Sequence, residues 1–297
     1  DGNDSGTWLT PYTLDPNNPT IIYAGYSRVY KSTNQGNSWE AISPQIAGFN
    51  GDNSDLQGIE VAAANSDYIY AVYNGTGFNF GGCYFCDSFT SPQLNVTRNG
   101  GKTWDTYDLP ADRAAYDIAV DPTDPEIIYM AAVGFQAGQK VFKSMNGGES
   151  WTNISGSLPN GPASAIETYV GGESGAVLVG TDTGVYYRDD SVRDWRKYGE
   201  LPHTPVTALE INYATETLYA GTHESSMFIA ATPNSTCNDP EPLDDDNDGI
   251  CNSLDICPNG DDNIDVNLNG VQDACDRYCV QVVSGSTNEQ IHLDRLF

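Results

Sequence analysis

Basic residues are scarce in this sequence, and their scarcity excludes two classes of partner. Only 13 Lys and Arg stand against 41 Asp and Glu, which leaves a formal net charge of −28. Nucleic-acid binding and attachment to an anionic membrane surface both need cationic side chains that neutralise phosphates, so neither is expected. No run reaches the roughly 18 consecutive apolar residues of a membrane-spanning helix, so direct insertion into a membrane is not expected either.

The sequence also lacks the common catalytic spacings. Its three histidines, His203, His223 and His292, are far apart and form no H-x-x-x-H or H-E-x-x-H motif, which argues against a catalytic zinc site. No glycine-rich phosphate loop opens a helix, and nothing marks a nucleophile elbow. Helical periodicity is nearly absent, whereas the chain has 18 Tyr, 30 Gly and 16 Pro and short β-branched or aromatic runs, which predicts an all-β protein.

Three eight-residue segments share the pattern [S/T]-x-N-x-G-x-[S/T]-W, and we call this pattern the signature. The copies occupy residues 32–39, 97–104 and 144–151. The Asn can bond to the backbone of its own turn, the Gly allows a positive φ, and the hydroxyls join the two sides of a hairpin. We expect the Trp ring to be buried between neighbouring sheets.

A second element, an extended run that often follows an Asp-Pro turn, recurs five times. Its copies align at Tyr23, Tyr70, Tyr129, Val179 and Tyr219, which lie 47, 59, 50 and 40 residues apart. This spacing is close to the roughly 40–50 residues of a four-stranded propeller blade. The sequence therefore predicts β-propeller blades, four plus part of a fifth. In the fourth unit the signature has decayed at residues 189–195 and keeps only its Trp.

The signature resembles the Asp-box, or BNR repeat, with Asn in place of the usual Asp. Together with the Asp-Pro element, it is most similar to secreted β-propellers of Bacteroidetes exported by the type IX system. The resemblance covers roughly residues 7–232. Because such propellers normally have six or more blades, it implies that these blades are the C-terminal part of a larger propeller.

The segment from Cys237 to Cys275 contains eleven acidic residues and no Lys or Arg. Oxygen ligands at alternate positions followed by Gly are typical of calcium loops. The pattern resembles the thrombospondin type 3 repeat, which implies a calcium-loaded stalk. Carried over by position, the resemblance implies two sets of calcium ligands: Asp244, Asp246, Asp248, Ile250, Asn252 and Asp255, then Asp265, Asn267, Asn269, Val271, Asp273 and Asp276. The Asn ligands lower the charge of the second site, so we expect weaker binding there.

The same resemblance implies disulfides that join successive turns of the stalk. It pairs Cys257 with Cys275 and Cys237 with Cys251, and it leaves Cys279 without a partner. The tail from Tyr278 to Phe297 resembles the opening of a GEVED-type β domain. The expected domains are therefore blades at 1–232, calcium-binding repeats at 233–276 and the start of a further β domain at 277–297.

A Gly- and Phe-rich insertion lies between Asn74 and Gln93. Its Cys83 and Cys86 form a C-x-x-C motif outside any thioredoxin-like helix, which favours a structural loop disulfide, with redox and metal roles as alternatives. The insertion also contains five aromatic residues, either as cover for an adjacent blade or as a contact patch for carbohydrate or a protein ligand. These residues are Phe78, Phe80, Tyr84, Phe85 and Phe89.

Two hydrolase activities are known on such folds. A sialidase needs an arginine cluster, and the six arginines within residues 7–232 are scattered over that range. A xyloglucanase-like hydrolase needs two carboxylates that flank the sugar bond. Asp117, Asp121 and Asp182 are the candidates, but the Asp-Pro turn explains Asp121 and exposure at blade edges explains the other two.

The sequence thus favours a secreted or bacterial cell-surface protein that binds an extracellular protein or carbohydrate and is not an enzyme. Its role would be adhesion, scaffolding or ligand binding on a calcium-stabilised stalk. Seven cysteines fit an oxidising compartment. The alternatives are an extracellular glycoside hydrolase and a structural component of an extracellular assembly.

Overall fold

Nineteen β-strands, arranged in five small antiparallel sheets, make up the regular structure of the described residues. In this computed structural model the chain divides by its internal contacts into two units, Asp1–Thr168 and Tyr169–Phe297, which we describe separately. The structure describes residues 10–47, 56–75, 91–110, 114–170, 175–190, 194–199, 201, 203–213, 215, 217–223 and 226–232.

The first unit contains three four-stranded sheets and one further strand. The first sheet has β1 (Tyr12–Asp15), β2 (Asn18–Gly25), β3 (Val29–Ser32) and β4 (Glu40–Ala41). The second has β5 (Leu56–Val61), β6 (Ile69–Tyr73), β7 (Gln93–Thr97) and β8 (Asp105–Asp108). The third has β9 (Ala115–Val120), β10 (Ile128–Ala132), β11 (Val141–Ser144) and β12 (Thr152–Asn153). The unit ends with β13 (Ala163–Thr168).

The second unit contains β14 (Val177–Thr181), β15 (Gly184–Arg188) and β16 (Arg196–Tyr198), which follow β13 in the order of the fourth sheet. The fifth sheet has three strands, β17 (Val206–Asn212), β18 (Thr217–Thr222) and β19 (Met227–Ala231). The prediction of an all-β fold with four blades and part of a fifth is confirmed. The aligned residues Tyr23, Tyr70, Tyr129, Val179 and Tyr219 all lie on the second strand of their sheets.

In the first unit, consecutive sheets contact each other through their first strands: β1 lies against β5, β5 against β9, and β9 against β13. Two apolar clusters fill the spaces between the three complete sheets. One contains Tyr23, Ile59 and Ile69 and joins the first two sheets. The other contains Tyr70, Leu94 and Ile128 and joins the second and third. We call each of these contacts between neighbouring sheets a seam.

The signature forms the turn between the third and fourth strands, as the sequence predicts. In its first copy, Asn34 Oδ1 accepts a hydrogen bond from the Ser38 backbone N–H at 2.9 Å, and Ser32 Oγ accepts one from the Gly36 N–H at 2.8 Å. The second and third copies repeat both bonds. The equivalent Gly has φ of +86°, +95° and +94° in the three copies. The signature is therefore a hydrogen-bonded turn whose glycine needs the left-handed region.

Strands alternate in direction, so the turn between the first and second strands lies at the same end of a sheet as the signature. The Gln35 N–H donates to Thr20 O at 3.1 Å, and the Gly147 N–H donates to Glu126 O at 2.8 Å, which ties the two turns together. We call this end of the first three sheets the signature end. The opposite end, which we call the loop end, carries the connections between second and third strands, including the insertion after Asn74.

The prediction that each signature Trp is buried between sheets holds for some copies and fails for one. Trp104 packs against the cluster of the first seam, and its Nε1 donates to Ile42 O of the preceding sheet at 2.8 Å. Trp151 packs against the cluster of the second seam, and Trp195 is buried. Trp39 is 44% exposed, and its Nε1 donates to Gly36 O of its own turn at 3.1 Å. The prediction is wrong for Trp39.

Candidate functional site

Asp117 binds the backbone of two neighbouring first strands in the first unit. It lies on β9, which has a partner strand on only one side, and β13 runs beside it. One carboxylate oxygen accepts the N–H of Ile118 at 2.9 Å, and the other accepts the N–H of Ile166 on β13 at 3.0 Å. The carboxylate therefore caps two amide groups on free strand edges and connects the third sheet to β13.

The environment of Asp117 favours its protonated form. Desolvation by burial raises the pKa of its carboxyl group to about 6, although the two backbone hydrogen bonds act in the opposite direction. The side chain of Asp117 is half-buried and bonded to two strands, so exposure at a blade edge does not by itself explain this residue. A carboxyl group with this pKa can act as a proton donor near neutral pH, which is why it is a candidate site residue.

Asp121, four residues further along, is used by the Asp-Pro turn. One of its carboxylate oxygens accepts the Thr123 N–H at 2.8 Å, the Thr123 hydroxyl at 2.7 Å and the Asp124 N–H at 3.1 Å. The structural explanation drawn from the sequence is confirmed. Asp182 lies in the turn between β14 and β15, in the second unit, where it is half-buried.

At the loop end, the root of the insertion is fastened to the next sheet. The Asn74 amide donates to Ala115 O at 2.7 Å and accepts the Ala115 N–H at 2.8 Å, as a backbone partner would. Ala115 begins β9, two residues before Asp117. On the same end, the loop after β10 presents Phe135, which is 71% exposed. Asn74, where the insertion begins, thus lies close to the strand that carries Asp117.

Arg98, the variable second residue of the second signature, is enclosed by carboxylates at the signature end. Its Nε donates to Glu126 at 3.0 Å and its Nη1 to Asp105 at 3.2 Å, and Glu149 lies 3.8 Å from Nη2. The hydrogen bond that this guanidinium donates to Glu126 is the main reason why its pKa is raised. The Arg98 guanidinium therefore pairs with carboxylates of the second seam and is not placed to bind the carboxylate of a ligand.

Most of the predicted site residues lie outside the described residues. This group contains all twelve predicted calcium ligands from Asp244 to Asp276, the insertion residues Phe78, Phe80, Cys83, Tyr84, Phe85, Cys86 and Phe89, and Cys237, Cys251, Cys257, Cys275 and Cys279. Within the described ranges, no group of three or more His, Cys, Asp or Glu is arranged to hold a metal ion. Nor does that part of the chain contain a helix long and apolar enough to cross a membrane.

Sequence reasoning missed two features of the site. The sequence marks Asn74 only as the start of the insertion, because a single Asn gives no sign of which backbone its amide will meet. The Arg98 cluster joins Arg98 to Glu126 and Glu149, 28 and 51 positions away, as well as to the nearby Asp105, although the acid after the second Pro of the Asp-Pro element was a visible hint. Both depend on contacts between sheets, which a local pattern does not report.

The fold is similar to that of several solved propellers, all at low sequence identity. The GH74 xyloglucanase of Xanthomonas campestris superposes with a TM-score of 0.57 at 16% identity, over 77% of this chain and 37% of the enzyme. The protein YCF48 of Cyanidioschyzon merolae gives 0.52 at 12% identity, over 81% and 71% of the two chains. A gluconolactonase of X. campestris gives 0.54 at 16% identity, over 76% and 73%. No family model and no curated protein matches the sequence.

These similarities show the fold alone. At 12–16% identity a shared fold does not carry a function from these proteins to this chain, because one fold carries many unrelated sites. The chain spans little more than a third of the xyloglucanase that it resembles. They therefore show a β-propeller, and the function must be argued from the residues of this chain.

Proposed function

We propose that this protein is a secreted or cell-surface, non-catalytic binding protein of the adhesion, scaffold or ligand-binding type. The proposal rests on the hydrogen bonds that the candidate carboxylates accept from the chain itself. Asp117 and Asp121 together accept five hydrogen bonds from the surrounding chain, four of them from backbone N–H groups. Carboxylates bonded in this way connect strands and stabilise turns. A structural role therefore accounts for both Asp117 and Asp121.

The spacing of these two carboxylates also disfavours a glycosidase pair. They are four residues apart along an extended strand, so their Cα atoms are separated by about 13 Å at roughly 3.3 Å per residue. Hydrolases that act on glycosidic bonds place their two carboxyl groups about 5 to 9.5 Å apart. A Cα separation of about 13 Å lies beyond this range, which disfavours Asp117 and Asp121 as such a pair.

The ligand-contact surface that we propose is the loop end of the second and third sheets. Asn74 fastens the insertion to Ala115 there, and Phe135 adds an exposed aromatic ring. Phe78, Phe80, Tyr84, Phe85 and Phe89 are the proposed contact residues of the insertion. Aromatic rings give a large contact area at small entropic cost and stack on sugar rings, so a carbohydrate or an extracellular protein fits this surface.

Calcium completes the proposal. The acidic segment 233–276 would bind two ions and stiffen into a stalk that holds the propeller away from the cell surface. Calorimetry on the full chain should detect calcium uptake, stronger at the Asp244 site than at the Asp265 site. A full chain that takes up no calcium at millimolar concentration would refute the stalk.

The test of ligand binding removes residues 79–89 and leaves Asn74 in place. Wild type and the deletion variant are applied to an array of plant and bacterial polysaccharides and to extracellular protein fractions. Binding that the deletion abolishes, with an unchanged thermal midpoint, supports the proposal. Unaltered binding together with a lowered midpoint would mean that the insertion only covers a neighbouring sheet.

A glycoside hydrolase remains the second candidate, because Asp117 has a pKa of about 6 and GH74 enzymes share the fold. Incubation of the protein with xyloglucan, followed by an assay for reducing ends, tests it. Release of sugar that the Asp117→Asn substitution abolishes would favour this candidate. Sugar release would contradict the non-catalytic proposal.

A further inference from the structure

In the other four sheets an outer fourth strand covers the edge of the third strand. Among the described residues, the fifth sheet has no such fourth strand. Four sheets have a short outer strand of two to four residues, namely β4, β8, β12 and β16. Among the described residues the fifth sheet has three strands, and β19 is its last. The equivalent third strands of the first and third sheets show what this edge can bind.

The strand register identifies the equivalent residues. Val29 pairs with Gly25, two residues after Tyr23, and Met227 pairs with Gly221, two residues after Tyr219. Val29 O accepts the N–H of Ile42 at 2.9 Å, and Val141 O, in the same register of the third sheet, accepts that of Ile154 at 3.0 Å. Met227 O therefore occupies a position where a main-chain N–H is bound in two other sheets.

The hydrogen bonds of the β18–β19 hairpin show which groups point outward. Thr222 N–H donates to Ser226 O at 3.0 Å, so this pair is hydrogen-bonded. Because bonded and non-bonded pairs alternate in an antiparallel ladder, Phe228 and Ala230 bond to β18. Met227 and Ile229 consequently direct their N–H and C=O groups away from β18, toward the side of β19 on which the described residues place no strand.

The side chains of this edge are apolar. Residues 227–231 contain no charged residue, Phe228 is buried, and Met227 is 37% exposed. Proteins commonly protect free edges with charges, prolines or very short strands, and β19 has five residues and none of those side chains. An edge of this kind is a template for an added strand.

We propose that the β19 edge binds an extended, basic peptide segment of a partner protein, which adds to the fifth sheet as an antiparallel outer strand. The main-chain groups of Met227 and Ile229 supply the hydrogen bonds, as Val29 and Val141 do in their sheets. The chain carries a net charge of −28, so a segment with Lys or Arg is favoured over an acidic one. The proposal concerns a strand of the second unit and does not rest on the proposed ligand surface at the loop end.

The first experiment uses the full chain and a short fluorescent peptide of alternating lysine and valine, with a glutamate–valine peptide as the charge control. Anisotropy should show binding of the basic peptide. The substitution Ile229→Pro removes an N–H that faces the free edge and leaves the bonds to β18, so it should weaken binding by about tenfold or more. Met227→Ala changes only a side chain and should leave affinity within about twofold.

Amide hydrogen exchange on the wild type decides the matter even if the proline variant fails to fold. The Ile229 amide should exchange quickly in the free protein and slowly with the peptide, while Phe228 and Ala230 stay protected throughout. Slow exchange at Ile229 without peptide would mean that the protein's own chain already occupies the edge. That result, or equal affinity of wild type and Ile229→Pro, would overturn the proposal.

Discussion

The first and second copies of the signature have the same internal hydrogen bonds and different surroundings. In both, the Asn carboxamide oxygen accepts the backbone N–H of the Ser or Thr that precedes Trp, at 2.9 Å. Yet Trp104 donates to Ile42 O of the preceding sheet, whereas Trp39 donates to its own turn and is 44% exposed. A turn that is complete in itself becomes part of a seam only where a preceding sheet lies against it.

The glycine of the signature shows the same difference. A Cβ added to Gly101 would meet Ile42 Cβ at 2.8 Å, and one added to Gly148 would meet Leu94, again on the preceding sheet. At Gly36 the nearest atom would be a ring carbon of Trp39 at 3.7 Å. All three glycines have positive φ, so the turn requires glycine everywhere, but the seam requires it only in the second and third copies.

The strongest test of this comparison replaces the two Trp residues. Trp104→Ala should destabilise the first unit by about 2 to 4 kcal/mol, because it removes a packed ring and leaves Ile42 O without its donor. Trp39→Ala should cost about 1 kcal/mol or less, because much of that ring is already in water. Urea unfolding of both variants measures the difference. Equal losses would show that the neighbouring sheet does not decide the role of the ring.

A comparison of Gly36 and Gly101 separates two costs of replacing glycine: the strain of the turn and the overlap with the preceding sheet. Gly36→Ala and Gly101→Ala share the strain of an L-residue at positive φ, which costs about 1 to 2 kcal/mol. Gly101→Ala should lose about 1 to 2 kcal/mol more, because its methyl group would overlap Ile42. Thermal unfolding of the two variants at one protein concentration compares them. If Gly36→Ala were the more harmful change, the seam explanation would fail.

A third test concerns Asp117, whose carboxylate accepts a hydrogen bond from the Ile166 N–H and so links the third sheet to β13. The folded-state pKa of about 6 lies above the ordinary value near 3.9, so the folded protein holds this proton more tightly. Wild-type stability relative to Asp117→Asn should therefore fall as pH rises from about 4 to 6, by about 1 to 3 kcal/mol, and stay constant above that. Unfolding curves of both proteins across this pH range measure the difference. A difference that grows with pH would contradict the assigned pKa.

The smallest expected effect belongs to the Arg98 ion pairs of the second seam. Arg98→Met keeps the aliphatic stem and should cost about 1 kcal/mol or less, since the pairs are partly exposed. The loss should shrink at high salt, where repulsion among Glu126, Asp105 and Glu149 is screened. Thr33 holds the same position in the first signature, and Thr33→Val should be neutral there. A loss at Arg98 that salt does not change would point to packing as its cause.

Sequence reasoning was most successful where the repeat determines local structure. The aligned tyrosines fell on second strands and the signatures on hairpins, because turn chemistry and strand alternation act over fewer than ten residues. Sequence reasoning failed for Trp39 and Asp117. The exposure of Trp39 and the pKa of Asp117 depend on which strand lies beside each residue.

The sequence by itself determined the blade unit and its turns. Asn, Gly and the hydroxyl residues satisfy the signature's hydrogen bonds within eight positions, and the period of the Tyr element sets the succession of sheets. Only the tertiary structure decided which copy of the signature packs against a preceding sheet, which carboxylate is desolvated and which strand edge lacks a partner among the described residues. These properties arise from contacts between segments tens of residues apart, where burial and the free edges of strands depend on the neighbour that each sheet meets.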